Sequence, residues 1–272
     1  MTFILLFIIG IGAGILAGLF GIGGGLIFTP VLFYIFAGSG MNQVTQWAIG
    51  SSLFCTFVAS SSSVYKQLRN RNIFLPESLK VGGLGIIGTL TGMMITLSDW
   101  YGVEQFAVLF SLLLMYSSWN LFRRSNSSAD QPAEKSAAQE ITWVSALLIG
   151  LCGGIIASLA GVGGGLVMVP IMTLLIGLPF AHAVSVSSGA IVIISASAWV
   201  RMALATPVDE GMSSFTLGFI DFGTALPLII GSLIGGYIGV NIGHRIKTRL
   251  LERLFALLLI VVAARLLYDA FF

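Results

Sequence analysis

The chain has 272 residues, of which 57% are hydrophobic and only 9% are charged, and its formal net charge is +2. Its mean hydropathy of +1.00 is far above that of water-soluble domains, so the composition excludes a soluble protein. We therefore expect an integral membrane protein that contacts the lipid bilayer and has no nucleic-acid partner.

The N-terminal stretch MTFILLFIIG has no basic residue before its apolar run. A cleaved secretory signal would begin with positive charge, so this stretch is better explained as the first membrane segment. Charged residues are absent from 1–65 and again from 141–200. Each of these blocks is long enough for about three membrane passages at roughly 20 residues apiece.

Hydropathy divides the chain into two halves with five apolar segments each. The second segment of each half has only 12 or 13 residues, which is about 18–20 Å of helix and less than the roughly 30 Å hydrocarbon core. We expect a first membrane repeat over 1–122, a flexible polar linker on the cytoplasmic side over 123–140, and a second membrane repeat over 141–272. The ten segments are 3–19, 26–37, 47–65, 81–97, 106–122, 142–160, 166–178, 183–203, 217–240 and 254–271.

A glycine-rich motif of the first half returns in the second half. Residues 16–30 read LAGLFGIGGGLIFTP and residues 156–170 read IASLAGVGGGLVMVP, with eight of the fifteen positions identical. Such repeats in membrane transporters are usually structural units related by pseudo-symmetry. Two weaker matches align Ser51 and Ser52 with Ser187 and Ser188, and Gly88 and Gly92 with Gly235 and Gly239.

The charges of the connecting loops indicate how the two repeats are oriented. In the first half the connection 66–80 carries four basic residues, whereas 98–105 carries only acidic ones. In the second half the order is reversed, because 201–213 holds one arginine and two acids and 245–253 holds four basic residues. Basic loops collect on the cytoplasmic side. We therefore predict an all-α polytopic membrane protein with two inverted-topology repeats, each with a broken or re-entrant hairpin plus three transmembrane helices, and with both termini outside the cytoplasm.

In this scheme each glycine motif lies at the apex of a hairpin inside the membrane. An apex at that depth exposes backbone groups, which is tolerated only where it is buried in protein or lines a polar cavity. The short helices that begin near Leu26 and Leu166 would direct their N-termini, with unpaired N–H groups, toward the middle of the protein. Two converging N-termini can bind an anion without a charged side chain.

The predicted anion site combines the motif glycines with hydroxyl groups of the third segments. The alternatives are that the glycines only permit close helix packing, and that the serines bond to their own helix backbone. The run of four serines at 60–63 is interpreted as a packing face, with a water-lined path as the alternative. The predicted substrate-binding residues are Gly21, Gly23, Gly24, Gly25, Ser51, Ser52, Gly161, Gly163, Gly164, Gly165, Ser187 and Ser188.

His182 is the single histidine within an apolar region and is the candidate coupling residue. Its alternative role is that of a solvated residue at the membrane boundary. An intramembrane enzyme would need a nucleophile paired with a base, and the sequence shows no evident partner for His182, so we expect no catalytic residues. Cys55 and Cys152 follow no metal or redox spacing, and we expect neither a metal nor a cofactor.

The segments GIGGGLIFTP, GVGGGLVMVP and AIGSSL, the glycine-rich fourth segments and the polar linker together resemble the sulfite exporter TauE/SafE family over essentially the whole chain. SVSSGA departs from AIGSSL, so the match is weaker at Ser187 and Ser188. The resemblance implies a multi-pass secondary transporter of the inner cell membrane that moves small sulfur-containing oxyanions, such as sulfite or organosulfonates, by alternating access. The alternative is an anion channel that uses the same hairpin tips as a selectivity constriction. The sequence leaves the oligomeric state open.

Overall fold

The computed structural model describes residues 2–70, 74–126, 141–174, 176–208, 211–243, 256–257, 260–264 and 267–268. Within these residues almost all of the chain is helical, and the one sheet is a short hairpin. The helices are α1 (Thr2–Phe20), α2 (Gly25–Ala37), α3 (Val44–Arg69), α4 (Leu75–Thr96), α5 (Val103–Asn126), α6 (Trp143–Ala160), α7 (Gly165–Leu174), α8 (Phe180–Ala203) and α9 (Phe222–Gly243), and the strands are β1 (Thr216–Leu217) and β2 (Ile220–Asp221).

Six of the described helices are long and apolar enough to cross a membrane, namely α1, α3, α4, α6, α8 and α9. The prediction of an all-α polytopic membrane protein is therefore confirmed. α5 continues to Asn126, so the first four residues of the predicted linker, 123–126, are helical, and 127–140 lie outside the described residues. The tenth predicted segment, 254–271, is described only in short helical pieces.

The N-terminal end of α9 differs from the prediction. The sequence predicted one apolar segment from residue 217, but β1 and β2 form an antiparallel hairpin there, and α9 begins only at Phe222. Asp221 starts the helix, because its carboxylate accepts a hydrogen bond from the N–H of Thr224 at 2.9 Å. The same carboxylate accepts hydrogen bonds from the N–H and the hydroxyl of Ser213. This buried acid therefore has a capping role.

α1 packs against α9 through glycines. A Cβ atom built on Gly10 would lie 2.4 Å from the carbonyl oxygen of Leu228, and one built on Gly14 would lie 2.5 Å from that of Ser232. Only glycine permits backbones to approach so closely. Because the contacts advance in the same order along both helices, α1 and α9 run parallel.

α4 packs against α6 in the equivalent way. A Cβ atom built on Gly88 would lie 2.2 Å from the carbonyl oxygen of Leu151, and one built on Gly92 would lie 2.9 Å from that of Ile155. These two helices also run parallel, since the contacts again advance together. The first helix of each half thus packs against the fourth helix of the other half.

α3 and α8 are the most buried of the six spanning helices. They run antiparallel, because Gln67 near the end of α3 contacts Ser188 near the start of α8, whereas Phe54 packs on Trp199 at 5.2 Å between ring centroids. α3 runs parallel to α9, since its Ser62 contacts Leu233 and its start contacts the beginning of α9.

α4 runs parallel to α8, because the N–H of Phe74, just before α4, donates to Ser185 of α8 and a Cβ on Gly189 would meet Ser78. α1, α3 and α9 therefore share one direction, and α4, α6 and α8 share the opposite one. Equivalent helices of the two halves point in opposite directions. The inverted-repeat topology stays a prediction, and this order of contacts supports it.

Candidate site at the paired glycine loops

Two glycine loops break the helices at equivalent positions in the two halves. The first lies between α1 and α2 over 21–24, and the second lies between α6 and α7 over 161–164. Six of their glycines have left-handed backbone angles that other residues rarely adopt. The φ values are +64° at Gly21, +82° at Gly23, +79° at Gly24, +70° at Gly161, +79° at Gly163 and +82° at Gly164.

Gly25 and Gly165 are required for a different reason, which is close contact between the two loops. A Cβ atom on Gly25 would lie 2.5 Å from the Cα of Val162, and one on Gly165 would lie 2.4 Å from the carbonyl oxygen of Gly21. The loops touch each other with backbone atoms, and no methyl group fits between them there. In this conformation the direct contact between the loops therefore leaves no space for an anion at that point.

Each glycine loop is anchored by a serine from the third helix of the opposite half. The hydroxyl of Ser52 donates to the carbonyl oxygen of Gly161 at 2.9 Å, and the hydroxyl of Ser187 donates to that of Gly21 at 2.8 Å. Thr29 adds a hydrogen bond to Ser52 at 2.8 Å. Ser52 and Ser187 are therefore structurally equivalent, and the sequence alignment of Ser51 with Ser187 is wrong by one residue.

The other two predicted serines do not bond to the loops. Ser51 accepts a hydrogen bond from the N–H of Asp221 at 3.0 Å. Ser188 donates to the carbonyl oxygen of Val184 in its own helix at 2.8 Å and accepts from Gln67. Ser51 thus joins α3 to the start of α9, whereas Ser188 donates to its own helix, which is the alternative considered from the sequence.

Sequence reasoning missed Thr56 and did not include Ser60 in the site. Both are buried in α3, with 0% and 2% of their surface exposed. Among the described residues neither hydroxyl has a hydrogen-bond partner. The Cγ2 of Thr56 lies 2.7 Å from a Cβ built on Gly23 and 2.6 Å from one built on Gly163, and the hydroxyl oxygen of Ser60 lies 3.1 Å from the former. The spacing of four residues from Ser52 to Thr56 to Ser60 was the available signal, since it places all three on one helix face.

The glycine loops also carry backbone donors. Ile27 and Phe28 both donate to the carbonyl oxygen of Gly24, as Val167 and Met168 do to Gly164. The hydrogen bonds among the described residues include none donated by the preceding N–H groups at 22–26 or 162–166. Free N–H groups at a helix start carry partial positive charge. Among the described residues, the atoms nearest to the loop glycines belong to the backbone and to uncharged side chains.

His182 has a partner, so the expectation that it had none is wrong. Its Nε2 lies 2.5 Å from Oε2 of Glu77, and its ring stacks on Phe74 with 3.6 Å between ring centroids. Both side chains are largely buried, at 12% and 18% exposure. The pair joins the first turn of α8 to the first turn of α4. The partners are 105 residues apart, which is why no local pattern revealed them.

The six apolar spanning helices and the two buried glycine loops define a multi-pass α-helical membrane protein. The sequence profile described as Sulfite exporter TauE/SafE matches residues 6–266, and the chain belongs to that family. It is accordingly a membrane transporter, not an enzyme, and the family implies a small anionic substrate.

Proteins of similar sequence carry transporter names. The chain is 27% identical over 227 residues to a "Probable membrane transporter protein" of Methanocaldococcus jannaschii, covering 83% of this chain and 80% of the relative. It is 27% identical over 294 residues to "Probable membrane transporter protein YunE" of Bacillus subtilis, covering 100% of both chains. A "Probable membrane transporter protein" of Haemophilus influenzae is 27% identical over 266 residues, covering 96% of this chain and 97% of the relative. No solved structure matches the chain.

Proposed function

We propose that the protein is a secondary transporter of small sulfur-containing oxyanions, such as sulfite or organosulfonates, in the inner cell membrane. The anion binds at the paired glycine loops near the membrane centre and crosses by alternating access. The family description, which names sulfite export, supports the class of substrate.

The observation that carries the proposal is the set of donors without acceptors beside Gly23. Thr56 and Ser60 bury hydroxyls that have no partner among the described residues, and the N–H groups at the start of α2 have none either. Leaving a buried donor unpaired costs about 1–3 kcal/mol, whereas a hydrogen bond to a charged partner contributes roughly 1.5–3 kcal/mol. An oxyanion supplies acceptors for all of these donors at once.

The contact between the loops supports alternating access. Ser52 holds the second loop and Ser187 holds the first, so each loop is anchored to the opposite half of the protein. A relative movement of the two halves would change the space beside Thr56 without breaking helices. The His182–Glu77 pair joins α8 to α4 on the side that the charge pattern predicts as cytoplasmic, and we propose that it opens and closes with each cycle as the coupling element.

Sulfite titration of purified protein tests the site. Thr56→Val removes the unpaired hydroxyl and keeps the shape of the side chain, so we expect sulfite affinity to fall about tenfold or more with an unchanged or higher melting temperature. Gly24→Val should abolish binding at the glycine loops, because valine disfavours the positive φ and its Cβ would lie 2.9 Å from Phe28. Gly12→Ala in α1 is the matched control, since a Cβ there has nothing within 4 Å.

Undiminished sulfite affinity in both Thr56→Val and Gly24→Val would contradict binding at the glycine loops. If Gly24→Val does not fold, the isosteric Thr56→Val decides alone. Counterflow in proteoliposomes separates the carrier from the channel: a carrier accelerates labelled sulfite uptake when unlabelled sulfite is present on the far side, and a pore does not.

A further inference from the structure

A polar cavity lies at the end of the bundle where α3 begins and α4 and α8 end. Its volume is about 500 Å³, and its lining includes Thr45, Gln46, Asp99, Tyr101 and Arg201. We call this cavity the vestibule. Thr45 precedes the loop anchor Ser52 by seven residues, or about 10 Å along α3, so the vestibule is a separate place from the glycine loops.

Thr45 is the first indication that the vestibule receives a ligand. Its side chain is only 1% exposed, and among the described residues its hydroxyl has no hydrogen-bond partner. It lies at the second position of α3, and the first backbone hydrogen bond there is that of Trp47 to the carbonyl oxygen of Gln43. The N–H groups of Val44 to Gln46 therefore have no acceptor within the helix. An unpaired hydroxyl and a helix N-terminus together form a set of donors suited to an anion.

Arg201 adds a positive charge to the same cavity. It lies in the last turn of α8, is exposed, and lines the vestibule. No ion pair among the described residues includes it. Asp99 also lines the vestibule and opposes the attraction of an anion, so removal of its charge is expected to have the opposite effect to removal of Arg201.

The wall of the vestibule is joined directly to the second glycine loop. Gln46 donates through Nε2 to the carbonyl oxygen of Tyr101 at 3.0 Å, which fixes the α4–α5 connection. The Tyr101 hydroxyl donates to the carbonyl oxygen of Leu159 at 2.6 Å, two residues before Gly161. Burial raises the pKa of Tyr101, so this hydroxyl remains a neutral donor. The Tyr101 side chain therefore connects the vestibule wall directly to the end of α6 and the loop that follows it.

We propose that the vestibule is a second anion-binding site, which receives a small oxyanion from the side predicted to be outside before it reaches the glycine loops. Its donors are the Arg201 guanidinium, the Thr45 hydroxyl and the N-terminus of α3. Since a water molecule occupies about 30 Å³, the cavity accommodates a hydrated anion. The identity of the ligand rests on the proposed function, whereas the existence of the site rests on the vestibule residues.

Sulfite transport in proteoliposomes of known orientation tests the vestibule. Arg201→Gln should raise the KM for sulfite about fivefold from the vestibule side only, because an exposed charge contributes modestly. The maximal rate of uptake from the vestibule side should stay unchanged. Arg201→Lys should retain most of the affinity, Thr45→Val should raise KM, and Asp99→Asn should lower it. The difference between wild type and Arg201→Gln should shrink at high salt, since exposed charges are screened.

Calorimetry with sulfite separates this proposal from the proposed function. In the Gly24→Val background, which removes the site at the glycine loops, a weaker sulfite site should remain, and its affinity should fall about fivefold further when Arg201→Gln is added. Unchanged KM from the vestibule side in both Arg201→Gln and Thr45→Val would overturn the vestibule site. The proposed function fails in a different way, namely if Thr56→Val and Gly24→Val bind sulfite like the wild type.

Discussion

At the scale of single residues, the two halves differ where both glycine loops meet α3 and α8. Thr56 of α3 and Ile191 of α8 each approach Gly23 and Gly163. One contributes a hydroxyl without a partner among the described residues, and the other contributes only apolar surface. The backbone of the site is therefore close to symmetric, whereas Thr56 and Ser60, the hydroxyls beside the loops that have no partner among the described residues, both come from the first half. A bound oxyanion would be oriented by this difference.

The His182–Glu77 pair gives a prediction at this scale, which a double-mutant cycle tests. We expect His182→Ala and Glu77→Gln to lower the sulfite transport rate to similar extents, and the double variant to be no slower than either single variant. Residues that contact each other are non-additive, whereas independent residues add within about 0.3–0.5 kcal/mol. Phe74→Leu is the control, because it removes the stacked ring and keeps both polar groups. Additive effects of the two variants would show that the pair does not act as a unit.

At the scale of helices, rows of glycines determine which helix surfaces meet. We call these rows the glycine seams, and they include Gly10 and Gly14 of α1 and Gly88 and Gly92 of α4. The parallel pairs α1 with α9 and α4 with α6 are held by backbone contacts that no larger residue permits. Lipid is as apolar as leucine, so these helices associate through close packing and not through the exclusion of water. The seams place the ends of α1 and α6 so that the loops that follow them touch.

Two glycines of α4 provide a matched test of the seam. A Cβ on Gly88 would lie 2.2 Å from the carbonyl oxygen of Leu151, whereas a Cβ on Gly83 has nothing within 4 Å. Gly88→Ala should lower the melting temperature of the detergent-purified protein, because α4 and α6 must separate. Gly83→Ala should leave it unchanged or raise it, since alanine favours the helix by roughly 0.8–1 kcal/mol over glycine. Equal melting temperatures for the two variants would contradict the packing of α4 on α6.

At the scale of the whole molecule, the direction of each helix determines on which side of the membrane the connection after it lies. The contacts place α1, α3 and α9 in one direction and α4, α6 and α8 in the other. If the basic loops face the cytoplasm, as the loop charges predict, the vestibule opens outward and the His182–Glu77 pair lies toward the cytoplasm. The polar vestibule thus lies at the start of α3. Near the end of α3, Gln67 contacts Ser188 of α8, and the His182–Glu77 pair joins α8 to α4.

Cysteine labelling tests this orientation. In a background without Cys55 and Cys152, single cysteines at Asn72 and at Gly102 should react with a membrane-impermeant maleimide from opposite sides. The reason is that Asn72 lies in the basic connection after α3, whereas Gly102 lies in the acidic connection after α4. Solubilised protein, in which the reagent reaches both faces of the protein, serves as the labelling control. Labelling of both positions from the same side of intact vesicles would rule out the inverted topology.

Composition and hydropathy alone were enough to predict the class of protein, the approximate bounds of its described membrane segments and the breaks at the two glycine motifs. These features depend on composition and on neighbours along the chain, which hydropathy and backbone preference record directly. The need for glycine at Gly24 and Gly164 could be anticipated for the same reason, because a sharp turn requires positive φ.

Tertiary packing determines which side chains meet at the glycine loops. It placed Ser52 and not Ser51 on the second loop, brought Thr56 and Ser60 beside Gly23, and paired His182 with Glu77. A shift of one residue on a helix turns a side chain by about 100°, so an alignment that is wrong by one position changes the face of the helix. Contacts between residues more than 100 positions apart depend on how the helices pack, and local sequence carries no direct record of that packing.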